Sequence, residues 1–165
     1  MFEARIRKGL EPEHITAIID TREQEPLELA PLKTMRGTLD TADYSVLGLQ
    51  HIIGVERKSL NDLIGSLSQE RERFEREMQR LLAYPVRALV IEADWSTIEL
   101  KQYRSRMHPN AVMGSLMGLI AQTIPVVMIG NHQRAGVWVS RMLYLAAKRE
   151  WAKAYPFLAT MADVV

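Results

Sequence analysis

The chain has 165 residues, 47% of them apolar and 25% charged, with a net charge of +1 and no cysteine. That length suits one domain with a real hydrophobic core, and the missing cysteines exclude disulfides, thiolate metal sites and cysteine nucleophiles. No apolar run approaches the roughly eighteen residues of a membrane span, and Met1 to Lys8 lacks the apolar stretch of a secretion signal, so a cytoplasmic protein without membrane association is expected.

Ile15-Thr16-Ala17-Ile18-Ile19, ending at Asp20, reads as a buried strand. Residues 24–40 hold Pro26, Pro31 and Gly37 and read mainly as loop. Tyr44 to Leu47 is a short strand, Gly48 a turn, and Gln50 to Arg57 the returning strand of a hairpin. Ser59 is a suitable N-cap for a helix carrying Leu60, Leu63, Ile64 and Leu67. From Ser68 to Ala83 the pattern is helical, with Phe74, Met78 and Leu81 on one face and Glu72/Arg76 and Arg73/Glu77 at ion-pair spacing. Val86 to Ile91 is a core strand running into Glu92, Asn110 to Thr123 a buried helix, and Pro125 to Ile129 another core strand. Residues 133–154 form a long helix that stops before Pro156. Continuous apolar strands alternating with helices imply a sheet covered on both faces. The predicted fold is therefore α/β, a three-layer α/β/α sandwich with a central mixed sheet, in a single domain over residues 1–165. Residues 1–14 are expected to be loose, and 131–165 form a C-terminal helical segment.

Chemistry concentrates at Asp43 and Glu56-Arg57-Lys58. Side chains two apart on a strand share a face, so Glu56 and Lys58 point together while Val55 and Arg57 point the other way. A hairpin return brings Asp43 beside Glu56. Two carboxylates at a sheet end suit Mg²⁺ or Mn²⁺, which favour oxygen ligands, and such an ion lowers the pKa of bound water and offsets charge on a scissile phosphate. Lys58 either orients the attacking water or stabilises the transition state.

The partners are read from charge. Residues 1–100 carry 13 Lys/Arg against 18 Asp/Glu, whereas 101–165 carry 8 against 2, an asymmetry that points to a polyanion or metal partner. Lys101, Tyr103, Arg104 and Arg106 form a basic, aromatic-containing stretch fit to track phosphates and stack on a base. Arg71 falls on the apolar face of its helix, with the acidic site as its expected partner, while Arg73, Arg76 and Arg80 read as a solvated face. Glu92 either joins the acidic site or marks a strand exit. His14, His51, His108 and His132 lack zinc-type spacing, and without a Gly-rich phosphate loop no nucleotide cofactor is expected. Trp138, Tyr144, Trp151 and Tyr155 serve core packing or a dimer interface.

Asp20-Thr21-Arg22-Glu23, Asp43-Tyr44, Glu56-Arg57-Lys58 and Asp62 together resemble the nuclease domain of XPF-type (ERCC4-domain) structure-specific endonucleases. The family signature is a Gly-Asp pair, a variable gap, Glu-Arg-Lys, three residues and Asp; only Ala42, in place of the glycine, departs from it. The resemblance covers residues 15 to 130 and continues through Arg71 and Leu89-Val90-Ile91-Glu92. It implies a restriction-endonuclease-like core that hydrolyses phosphodiester bonds in branched, flapped or nicked DNA during repair, recombination or replication. Asp43 and Glu56 would be the principal metal ligands, with Asp20 or Glu23 contributing directly or through water. Lys58 would be the catalytic lysine, Arg22 and Arg57 would bind phosphate or brace the acids, and Asp62 would hold Arg57 or Lys58. A homodimer is implied as well. The resemblance looks most like a phage or prokaryotic stand-alone version, nucleoid-associated or in the host cytoplasm, without the tandem helix-hairpin-helix domain of many cellular members. The family also contains catalytically weak DNA-binding subunits, which is the alternative reading.

Overall fold

The computed structural model describes residues 9–162. Its sheet has six strands in the order β2-β1-β3-β4-β5-β6. They are β1 (Thr16–Asp20), β2 (Lys33–Gly37), β3 (Tyr44–Val46), β4 (Ile53–Ser59), β5 (Val86–Glu92) and β6 (Val126–Met128). β3 is antiparallel to both β1 and β4, while β1 with β2, β4 with β5 and β5 with β6 are parallel, so the sheet is mixed as expected. The helices are α1 (Leu60–Ser68), α2 (Arg71–Leu81), α3 (Trp95–Glu99), α4 (Pro109–Ala121) and α5 (His132–Ala162).

Strand alternation divides the core in two. Ile53, Val55 and Val90 face Val139, Leu143 and Ala146 of α5. Leu89 and Ile91 face the opposite layer, where Leu63 and Leu67 of α1, Phe74, Met78 and Leu81 of α2 and Leu116 of α4 are buried. These two apolar layers make the sandwich. Among the described residues, no helix is long and apolar enough to cross a membrane.

Two expectations need correction. Residues 24–40 are not all loop, because Lys33–Gly37 adds a strand beside β1 at the sheet edge. Its solvent-exposed residues lack the apolar signal of a buried strand. α5 does not stop before Pro156 but runs through it to Ala162. The expected loose segment 1–14 lies outside the described residues as far as residue 8. Beyond that, Leu10 accepts a 3.0 Å hydrogen bond from the Tyr144 hydroxyl, and Pro12–His14 forms a 3-10 turn. Trp138 and Tyr144 are half-buried against the α5-side core, and Trp151 and Tyr155 pair with centroids 6.3 Å apart.

Candidate active site

The β3–β4 hairpin builds the site. Tyr44 pairs with Val55, and the Asp43 amide donates to the Val55 carbonyl at 3.0 Å, which sets Asp43 against the end of β4. One Asp43 carboxylate oxygen then accepts the Arg57 amide at 2.8 Å. β4 and β5 run parallel, with Lys58 opposite Ile91 and Ser59 opposite Glu92, so the charged residues gather at the carboxyl ends of parallel strands. Open α/β sheets place ligands at such ends. The period of two separates the faces as predicted. Lys58 meets α2, lying 5.4 Å from the Phe74 ring centre, while Arg57 turns to the other side.

A polar cleft of about 690 Å³ opens over this end of the sheet, with Asp43, Glu56 and Lys58 in its lining. Burial pushes the Asp43 carboxyl up to about 6, with Glu23 adding to the effect against the Arg57 amide. Burial and then the charge of Asp43 push Glu56 up to about 8. Two acids that resist ionisation side by side suit a hard divalent cation, which would offset both burial and mutual repulsion. Lys58 supplies part of that relief, with its ammonium 3.4 Å from Glu56 and 3.9 Å from Glu77.

Behind the cleft is a buried ion network. Arg57 donates from Nε and Nη2 to the two Glu23 oxygens at 3.0 Å each, and from Nη1 to Glu92 at 2.8 Å. The Glu92 oxygen also lies 2.7 Å from Nδ1 of His132. Arg57 thus braces the acids from behind, and Glu92 joins its network instead of merely ending a strand. Glu23 lines the cleft, but both its oxygens are committed to Arg57, so it is not a free metal ligand here. Asp20 is also saturated, by Nε and Nη2 of Arg22 and by the amides of Arg22 and Leu39. Burial disfavours its charge, but these donors outweigh it and hold its pKa below the ordinary carboxylate value. Asp20 therefore aims the exposed Arg22 at the cleft instead of completing a metal site. Among the described residues, no three acidic or histidine side chains converge as metal ligands.

Asp62 does not hold Arg57 or Lys58. It lies in the first turn of α1, where the capping Ser59 hydroxyl accepts its backbone amide at 3.1 Å and donates to its carboxylate at 2.7 Å. Arg71 does not reach the acidic site either. It is the first residue of α2, where its side chain leaves the helix end into solvent and pairs with Glu75 at 2.9 Å. Lys101, Arg104 and Arg106 are exposed as a DNA-contacting loop requires, whereas Tyr103 is tied inward, packing on the α1/α2/α4-side core and donating to the Met107 carbonyl at 3.0 Å. A tyrosine so held is not free to stack on a base. Three α2 residues escaped sequence reasoning, because Arg73, Glu77 and Arg80 line the cleft. Their i, i+4, i+7 spacing, one residue ahead of the buried Phe74, Met78 and Leu81, was the available signal.

A mixed six-stranded sheet with two acids and a lysine at the end of its central hairpin defines a restriction-endonuclease-like nuclease fold. The ERCC4 domain matches residues 19–142, and the chain belongs to that family of nucleases. XPF from Aeropyrum pernix superposes with a TM-score of 0.64 at 18% identity, covering 79% of this chain and 61% of that one. XPF from Aeropyrum pernix in complex with DNA gives 0.63 at 19% identity, covering 82% and 66%. The chain thus spans between three fifths and two thirds of the length of those chains. No curated protein sequence matches it.

Proposed function

We propose that the protein is a divalent-metal-dependent DNA endonuclease acting on branched, flapped or nicked DNA. The observation that carries this reading is the convergence of Asp43, Glu56 and Lys58 in one polar cleft of a nuclease-family fold. Asp43 and Glu56 would hold Mg²⁺ or Mn²⁺, which supplies an acidified water and offsets phosphate charge. The Arg57 amide fixes one oxygen of Asp43. Lys58 stands beside Glu56, where its ammonium can leave the carboxylate for the anionic transition state, with Glu77 and the Phe74 ring keeping it in place. Arg22, held by Asp20, presents a cation at the cleft for phosphate, and Lys101, Arg104 and Arg106 extend the backbone contacts. Two copies would act together through α5, where Val137 and Leu145 are exposed on either side of Arg141, and light scattering of the purified protein checks this directly.

The test incubates the protein with labelled flap, fork, four-way-junction and linear duplex DNAs, in Mn²⁺ or in EDTA. Cutting of branched substrates that requires Mn²⁺ and disappears in folded Asp43→Ala and Glu56→Ala variants is the expected result. Binding without cutting would assign the chain instead to the catalytically weak DNA-binding subunits of such complexes. Neither binding nor cutting would end the nuclease reading.

A further inference from the structure

α2 carries two stripes at the same spacing, shifted by one residue. Phe74, Met78 and Leu81 are buried and fix the helix to the core, while Arg73, Glu77 and Arg80 run beside them along the cleft. Every other arginine of this helix has a carboxylate partner: Arg71 pairs with Glu75 at 2.9 Å, Arg73 with Glu77 at 3.2 Å and Arg76 with Glu72 at 3.9 Å. Arg80 alone has none among the described residues, although Asp40 and Glu77 line the same cleft. It is a solvent-exposed guanidinium, aimed into an acidic cleft and held on a rigid helix.

We propose that Arg80 is a phosphate-binding residue that holds the DNA backbone at the α2 wall of the cleft. The inference rests on the endonuclease reading and names a binding group outside the acidic motif. A polyanion approaching Asp43 and Glu56 meets repulsion, and a cation at the rim offsets it. A guanidinium offers a planar pair of donors matched to two phosphate oxygens. Arg73, two helical turns away at about 1.5 Å per residue, stands about 10 Å along the same wall, a span of about three nucleotide steps at 3.4 Å each. Arg80 also lies in the last turn of α2, where a cation complements the helix dipole. That role accounts for a positive charge at this position but not for its aim into the cleft, and the two roles predict different salt behaviour.

The test compares wild type, Arg80→Gln and Arg76→Gln, the last on the same helix outside the cleft. Fluorescence anisotropy follows binding to a fluorescein-labelled forked duplex in Ca²⁺, between 50 and 200 mM salt, with melting curves recorded for each protein. Arg80→Gln is expected to weaken binding about five- to tenfold and to flatten the log K against log salt slope by about one, while Arg76→Gln matches wild type. If Arg80→Gln lowers the melting temperature but keeps the wild-type affinity and slope, or if Arg76→Gln loses as much, the phosphate role is overturned while the endonuclease reading stands. Wild type that binds no DNA would overturn both.

Discussion

Arg57 and Glu23 are joined by two parallel hydrogen bonds of 3.0 Å, with both side chains close to fully buried. The pair explains why a glutamate that the resemblance places among the metal-binding acids is unavailable for that task. Removing one partner of a buried pair costs about 3–5 kcal/mol, but Glu92 remains on the other edge of the guanidinium and reduces the loss. Glu23→Ala is therefore expected to cost about 2–3 kcal/mol, a melting-temperature drop of roughly 5–10 °C at this size. Mn²⁺ affinity by calorimetry should change less than threefold in the same variant. A variant with wild-type melting but lost Mn²⁺ binding would return Glu23 to the ligand set.

The raised carboxyls of Asp43 and Glu56 give the metal-free protein a signed pH dependence. A group protonated more readily in the folded state contributes stability that is present below its unfolded value, near 4, and is lost as pH rises through its folded value. For these two acids the loss falls between about pH 4 and 8. Glu56→Gln removes one charge from the pair, so it should melt with wild type near pH 4.5 and above it at pH 8, in EDTA. Mn²⁺ competes with the same protons, so its stabilisation of wild type should grow across that range. Equal melting of the two proteins at pH 8 would show that the pair carries no such burden.

Much of this arrangement is legible in the sequence, and the reasons are local. Val86 to Ile91 is apolar at every position except Arg87 near its start, so its burial between two helical layers follows from composition. The opposite aims of Arg57 and Lys58 follow from the strand period alone, and the Ser59 cap from its place before an apolar helix. What could not be read depends on approach between distant segments. Lys33–Gly37 has no apolar pattern, and only its pairing with β1 makes it a strand. The charged stripe of α2 looks like any solvated face until the hairpin is seen across from it. Arg71 fits the apolar register on paper but starts its helix, where a long side chain escapes to solvent.

Ala42 has φ +74°, in the left-handed region where the family signature carries glycine. A Cβ there costs about 1–2 kcal/mol, partly offset by the buried methyl group and by a stiffer unfolded chain. Ala42→Gly should leave the melting temperature unchanged or raise it by up to roughly 4 °C. Ala42→Val adds β-branching to the same backbone and bulk to a buried position, and should lose about 2 kcal/mol or more. A valine variant that melts with wild type would mean the backbone relaxes out of that conformation.

The α5 layer is docked through a glycine. A Cβ on Gly136 would stand 2.5 Å from the Glu28 carbonyl oxygen, a contact with backbone that no side-chain rotation relieves. One turn later the Ser140 hydroxyl donates to the Leu29 carbonyl at 2.9 Å, so the 27–32 segment is held against α5 at two points. Gly136→Ala must push the helix and that segment apart, lengthening the serine bond and loosening Val139 and Leu143 against the sheet. Helix propensity favours alanine by about 1 kcal/mol, but overpacking against fixed backbone costs about 2–3 kcal/mol or more. A net fall of roughly 3–8 °C in melting temperature is expected. A Gly136→Ala protein that melts above wild type would show that propensity wins and that the close approach is soft.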